Sequence, residues 1–205
     1  MNFRSTTVLA RSVLTAAVLT AALVPAAATA TPDRSADRPG GAQRTTLTFT
    51  VDDCEGCQIQ LANALQTRHT DVRLWSSKTK KVRDGQVRFT VATAKTWGLS
   101  VTVRAPWEGQ TGYLTTVAWR YNGMLQGDPV TLQEAVTKKR ASACWEGVRS
   151  RTVTVPLVVE EVEVDGVHGR VPGSIAFVPE TQSWLHPMRE VRDGVLGSQD
   201  VNICH

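Results

Sequence analysis

Two cysteines three residues apart carry the most reactive spacing in this chain. They lie in Asp52-Asp53-Cys54-Glu55-Gly56-Cys57. A C-x-x-C pair can exchange electrons with a second dithiol, hold a soft metal ion, or close on itself as a brace. The first two uses need a thiolate, and the carboxylates of Asp53 and Glu55 oppose one, because nearby negative charge disfavours a second negative charge. Asp and Gly are turn formers. The expectation is therefore a structural disulfide, with Cys54 facing Cys57 across a tight turn. Four cysteines allow three pairings. If Cys54 pairs with Cys57, Cys144 must pair with Cys204, and that bridge closes a loop of roughly 60 residues and contributes about 4 kcal/mol.

Other chemistry is sparse. The sequence has no G-x-S-x-G, no H-E-x-x-H and no Walker loop, which are the signatures of serine hydrolysis, zinc hydrolysis and phosphate cradling. His69 is the histidine closest to Cys57, and His168, His186 and His205 are scattered. Glu161 and Glu163 share one face of a strand, and a solvated face is the expected outcome. No catalytic residue, metal or cofactor is expected, and the chain reads as a non-enzyme. Six tryptophans stand out, and three lie in loop-like sequence beside Gly or Pro: Trp97-Gly98, Pro106-Trp107 and Trp145-Glu146-Gly147. Trp97, Trp107 and Trp145 are candidate ligand-binding residues, since aromatic rings projecting from loops stack on sugars. The alternative is that they plug the ends of a core.

The elements that would position these groups read as strands. From Thr45 to Val51, Leu47, Phe49 and Val51 alternate with threonines, the period of a half-buried strand. Gln58-Ile59-Gln60-Leu61 alternates again, and so does Val72-Arg73-Leu74, with Trp75 next. Val87, Phe89 and Val91 follow the turn pair Asp84-Gly85. Leu99, Val101 and Val103 follow Gly98. Tyr113, Val117, Trp119 and Tyr121 share one parity before Asn122-Gly123. Further on, Val153, Val155, Leu157 and Val159 alternate, and then the parity shifts to Val162 and Val164, which predicts a bulge or register break at Glu160-Glu161. Pro156 has no N–H and places its strand at a sheet edge. Asp165-Gly166 is the next turn, and Ile175 and Phe177 mark a further strand. One helix is expected, within Thr131 to Ala141. The fold class is all-β: an antiparallel β-sandwich, disulfide-braced, with at most one short helix.

Two resemblances bear on function. A strand, C-x-x-C and a helix open both the thioredoxin-like site and the heavy-metal-associated copper module, and Leu61, Ala64 and Leu65 fall at helical spacing after Cys57. The chain resembles them in cysteine spacing alone: Asp53 stands where the thioredoxin type carries Trp, and Asp52 where the copper module carries Met. What this resemblance implies is the alternative function, thiol–disulfide redox or copper binding by Cys54 and Cys57. Residues 45–106 resemble instead the prealbumin-like β-sandwich modules of bacterial surface proteins, the CnaB or carboxypeptidase-regulatory type, through Gly85-Gln86-Val87-Arg88-Phe89-Thr90-Val91 and Val103-Arg104-Ala105-Pro106. That resemblance implies a secreted binding or structural module. Self-crosslinking members need a Lys early in the first strand. Thr45 to Val51 has none, so no internal isopeptide bond is expected.

Met1 to Ala30 combines basic Arg4 and Arg11, an apolar stretch from Val13 to Val24, and a small-x-small site at Ala28-Thr29-Ala30. This is the make-up of a secretory signal peptide, with too short an apolar stretch for a membrane anchor. No membrane attachment is expected after cleavage. Removing Arg4 and Arg11 from 23 basic residues against 19 acidic ones leaves a net charge of +2, too small an excess for a nucleic-acid binder. The basic runs Lys78-Thr79-Lys80-Lys81 and Lys138-Lys139-Arg140 are short and read as solvated. Thr31 to Arg44 is a polar, Pro- and Gly-bearing leader, expected to be disordered. The body divides into a β-sandwich module from Thr45 to Gly127 and a C-terminal β segment from Asp128 to His205 packed on it, or forms one domain from Thr45. The expected function is a non-enzymatic binding or structural role outside the cell, with cell-wall or extracellular polysaccharide as partner.

Overall fold

Period-two sequence produces period-two burial, and the buried rows decide which strands meet. The computed structural model describes residues 43–68, 71–109, 115–137, 140–166, 168–181 and 187–192. The expected signal peptide, nearly all of the leader, His69, Tyr113, His186, Cys204 and His205 lie outside the described residues.

In chain order the strands are β1 (Arg44–Thr50), β2 (Gln58–Arg68), β3 (Asp71–Ser76), β4 (Lys80–Lys81), β5 (Gln86–Ala92), β6 (Leu99–Arg104), β7 (Thr115–Thr116) and β8 (Arg120–Tyr121), then β9 (Arg140–Trp145), β10 (Thr152–Pro156), β11 (Val158–Gly166), β12 (Gly169–Phe177) and β13 (Pro187–Arg192). Short 3₁₀ turns span Thr93–Thr96 and Pro106–Glu108, and one α-helix, α1, spans Leu132–Thr137. Among the described residues the strands form three sheets. One runs β10-β1-β5, one is the hairpin β11-β12, and the largest runs β13-β9-β6-β2-β3 with β4 on β2, β7 on β6 and β8 on β9.

The inward rows of the first and largest sheets share one core. Leu47 and Phe49 of β1, Val87, Phe89 and Val91 of β5 and Val155 of β10 pack with Ile59 and Leu61 of β2 and Leu99, Val101 and Val103 of β6. Phe49 and Phe89 meet edge to face with ring centres 6.1 Å apart, the geometry that aromatic quadrupoles favour. Two sheets covering one apolar layer make a sandwich. A second cluster, with Tyr121, Met124, Ala135, Ile175 and Phe177, packs α1 and β8 against the hairpin.

Several details follow the turn chemistry. Asp84 and Gly85 take φ of 51° and 67°, two positive values in a row, as a type I′ hairpin turn requires. Pro156 lies in β10, at an edge of its sheet. Asp165 and Gly166, expected to form a turn, are instead the last residues of β11, paired with Arg170 and Gly169, and the β11-β12 ladder runs unbroken from Val158↔Phe177 to Gly166↔Gly169.

Other expectations need correction. No bulge occurs at Glu160-Glu161. The chain changes sheets at Leu157, and β11 buries Val159 on one face and, farther along, Val164 on the other. The antiparallel rule has an exception: β10 pairs with β1 in parallel. No hairpin joins these strands, which lie about a hundred residues apart, so the chain is free to return in either direction. The strand expected from Tyr113 to Tyr121 is broken into β7, a lone bridge at Ala118 and β8. The helix is shorter than Thr131 to Ala141, since β9 begins at Arg140; Thr131 and Glu134 cap it reciprocally. Leu74, on edge strand β3, points out at 74% exposure. The seam at Gly127 is no domain boundary among the described residues, because β9 pairs with β6 and β8, and β10 pairs with β1.

Candidate functional site: a cleft at Trp97

Two straps meet at one end of the sandwich. The first is the 3₁₀ turn Thr93–Thr96 with Trp97, joining β5 to β6. The second runs from Glu146 to Arg151 and joins β9 to β10. They hold a cleft of about 630 Å³ between them.

Hydrogen bonds tie the straps to each other and to β1 and β2. Thr96 Oγ1 donates to the Thr93 carbonyl at 2.7 Å and accepts from the Val148 N–H at 3.2 Å. Thr45 Oγ1 donates to the Ser150 carbonyl at 2.9 Å and lies 2.9 Å from Thr93 Oγ1. Gln43 Nε2 donates to the Arg149 carbonyl at 3.0 Å, and the Gly98 N–H donates to the Trp145 carbonyl at 2.8 Å. Asn63, itself buried, donates Nδ2 to the carbonyls of Lys95 and Trp97. Gly147 has a φ of +88°, and a Cβ there would come within 2.9 Å of the Trp97 nitrogen. Only glycine lets the straps approach this closely.

Trp97 lines this cleft at 48% exposure. Glu146, half-buried, and Arg149, exposed, line it from the second strap. Neither side chain forms an ion pair or hydrogen bond among the described residues. Ala94 and Val148 add apolar lining. Lys95 is occupied elsewhere, its ammonium 5.5 Å from the centre of the Trp75 ring. The cleft thus offers an aromatic side chain, apolar lining, a carboxylate and a guanidinium, and no histidine or cysteine lines it among the described residues. Aromatic and apolar lining with hydrogen-bonding groups beside it suits an amphipathic ligand such as a pyranose ring.

Of the three tryptophans singled out from sequence, the structure brings one to a cleft. Trp145 is fully buried, and its ring stacks on Trp119 at 5.6 Å between centres. It belongs to β9 and faces the core, so it reaches no ligand. Trp107 packs against the main core and donates Nε1 to the Gly173 carbonyl at 3.1 Å, which anchors a turn and leaves the ring half-buried. Glu146 and Arg149 escaped the sequence reading. The signal nearest to them was Trp145-Glu146-Gly147, where the useful letters were the last two.

Cys54 and Cys57 form the expected local disulfide, with Cα atoms 5.4 Å apart. The Cys57 N–H donates to the Cys54 carbonyl at 3.2 Å, and Gly56 has a φ of 82°, so glycine serves the tight turn. Both cysteines are buried. Cys57 leads into strand β2, so the helix that thioredoxin-like and copper-module sites build on their second cysteine is absent here. Cys144 is also disulfide-bonded; Cys204, expected to be its partner, lies outside the described residues. Glu161 and Glu163 are exposed, and Glu163 pairs with Arg170 across the hairpin at 3.4 Å. His168 is exposed near the hairpin turn.

No family model, curated protein or solved structure matches this chain.

Proposed function

We propose that this chain is a secreted, non-enzymatic β-sandwich protein that binds a polysaccharide of the cell wall or the extracellular space through the Trp97 cleft. The supporting observation is Trp97 itself: a large aromatic ring held half-exposed by straps hydrogen-bonded along their length. Fixing such a ring in advance lowers the ordering cost of binding. Glu146 and Arg149 supply an acceptor and donors for sugar hydroxyls. The make-up of Met1 to Ala30 supports export, and the resemblance of residues 45–106 to prealbumin-like surface modules supports a place at the cell exterior.

Affinity electrophoresis of the protein in gels containing wall or plant polysaccharides tests this reading. Retardation is expected with at least one of them. Trp97→Ala should weaken binding by about tenfold or more, a loss of ~1.4 kcal/mol, while the melting temperature stays close to that of the parent. Silence across the panel, or retention indifferent to Trp97, would sink the proposal.

A further inference from the structure

The two straps do not carry balanced charge. Residues 93–97 hold Lys95, and residues 146–151 hold Glu146, Arg149 and Arg151, so cations outnumber the single acid. Asp52, Asp53 and Glu55 lie past the far end of β1, in the C-x-x-C turn, where Glu55 Oε2 accepts from the Gly85 N–H. β1 has seven residues and spans roughly 20 Å at about 3.3 Å per residue. That is more than twice the ~8 Å Debye length at physiological salt, so those acids do not offset the charge at the straps.

Lys95 keeps its ammonium over the Trp75 ring. Arg149 is different: it lines the cleft, exposed, and its guanidinium has no ion pair or hydrogen bond among the described residues. Glu146 lines the same cleft and does not pair with it. The backbone that carries Arg149 is fixed. Its carbonyl accepts from Gln43 Nε2 at 3.0 Å, the Val148 N–H before it donates to Thr96 Oγ1 at 3.2 Å, and the Ser150 carbonyl after it accepts from Thr45 Oγ1 at 2.9 Å. A side chain on a fixed strap has only its own rotamers to lose on binding. A guanidinium fork matches a carboxylate or phosphate through two parallel hydrogen bonds, and a lone hydroxyl cannot fill it. The Glu146 carboxylate only accepts, so the same ligand must also bring hydroxyl hydrogens. An oxyanion and hydroxyls together, beside an aromatic side chain, describe a sugar that carries an acid group.

Resting on the Trp97 cleft as the binding site, we propose that its ligand is an acidic polysaccharide: Arg149 pairs with a carboxylate or phosphodiester of the sugar seated at Trp97, and Glu146 accepts from that sugar's hydroxyls.

Titration calorimetry of the whole protein against polygalacturonate, and against the same polymer fully methyl-esterified, tests this. Esterification keeps the rings and removes the charge. Poly(ribitol phosphate) supplies the phosphate arm, and the tighter of the two anionic polymers identifies the oxyanion. At least one of them should bind about tenfold or more tighter than the ester, the scale of one charge-assisted pair, and added salt should shrink the gap. Arg149→Gln should erase the preference. Arg83→Gln, at an exposed arginine ahead of the Asp84-Gly85 turn, should leave it intact. Equal affinity of the unsubstituted protein for charged and esterified polymers overturns the acidic ligand and leaves the Trp97 cleft standing. So does a preference that Arg83→Gln lowers as much as Arg149→Gln. Absence of binding to every polymer, charged or neutral, removes the cleft reading and this one with it.

Discussion

Gly147 sets the shape of the cleft. Its φ of +88° and the 2.9 Å approach to the Trp97 nitrogen leave no room for a side chain. Gly147→Ala should cost about 1–3 kcal/mol, because strained backbone and a backbone clash coincide. Urea denaturation would read the loss, and polysaccharide binding should weaken alongside it. Glu108 makes a different prediction, one of pH. Its folded pKa is raised by burial, so the folded state holds the proton more tightly than the unfolded chain. Its stabilising contribution is complete below the unfolded glutamate pKa and is lost as pH rises through the folded value. Glu108→Gln removes that loss. Melting temperatures across pH should show the variant above the parent at neutral pH, with the gap closing under acid conditions. Parallel profiles would contradict the sign.

At the scale of elements, the C-x-x-C turn acts as a clip between β1 and β2. Its loop is so short that chain entropy gives it only about 2 kcal/mol, less than half of what a 60-residue loop provides. Burial of both cysteines makes the bridge hard for a reductant to reach in the folded protein. Replacing Cys54 and Cys57 together with Ser should lower stability by roughly 2–4 kcal/mol, since two polar hydroxyls enter an apolar core besides the lost crosslink. Mass-shift thiol counting under mild reductant should find this bridge intact until the protein unfolds. Fast alkylation of either cysteine in the native state would argue for exposed, working thiols instead.

The whole molecule depends on pairing between distant segments. β1 is clamped between β5 of the front half and β10 of the back half, and β9 stands between β6 and β13 in the largest sheet. A fragment comprising residues 45–127 should therefore fail to fold, since it loses one flank of β1 and the Trp119–Trp145 stack. Proton NMR of that fragment should show collapsed chemical-shift dispersion. A well-dispersed spectrum would restore a domain boundary at Gly127.

Strand identity, the Asp84-Gly85 turn, the edge position of Pro156 and the Cys54–Cys57 bridge were legible in the residues alone. Each rests on neighbours in sequence: alternation, φ preference, a missing N–H, turn-forming residues around two nearby thiols. What lay beyond reach depends on contacts across the fold. Trp97, Trp107 and Trp145 share the same local signature of an aromatic close to Gly or Pro, yet one is open, one anchors a turn and one is entombed. Their fates differ because Trp145 lies on a core-facing strand, Trp107 finds a carbonyl on β12, and Trp97 meets its neighbouring strap at Gly147, which has no side chain. The parallel partner of β1, the change of sheet at Leu157 and the burial of Glu108 are likewise set by residues far away along the chain. Local chemistry can choose a strand or a turn, but which face meets water is settled only when separate strands cover one another.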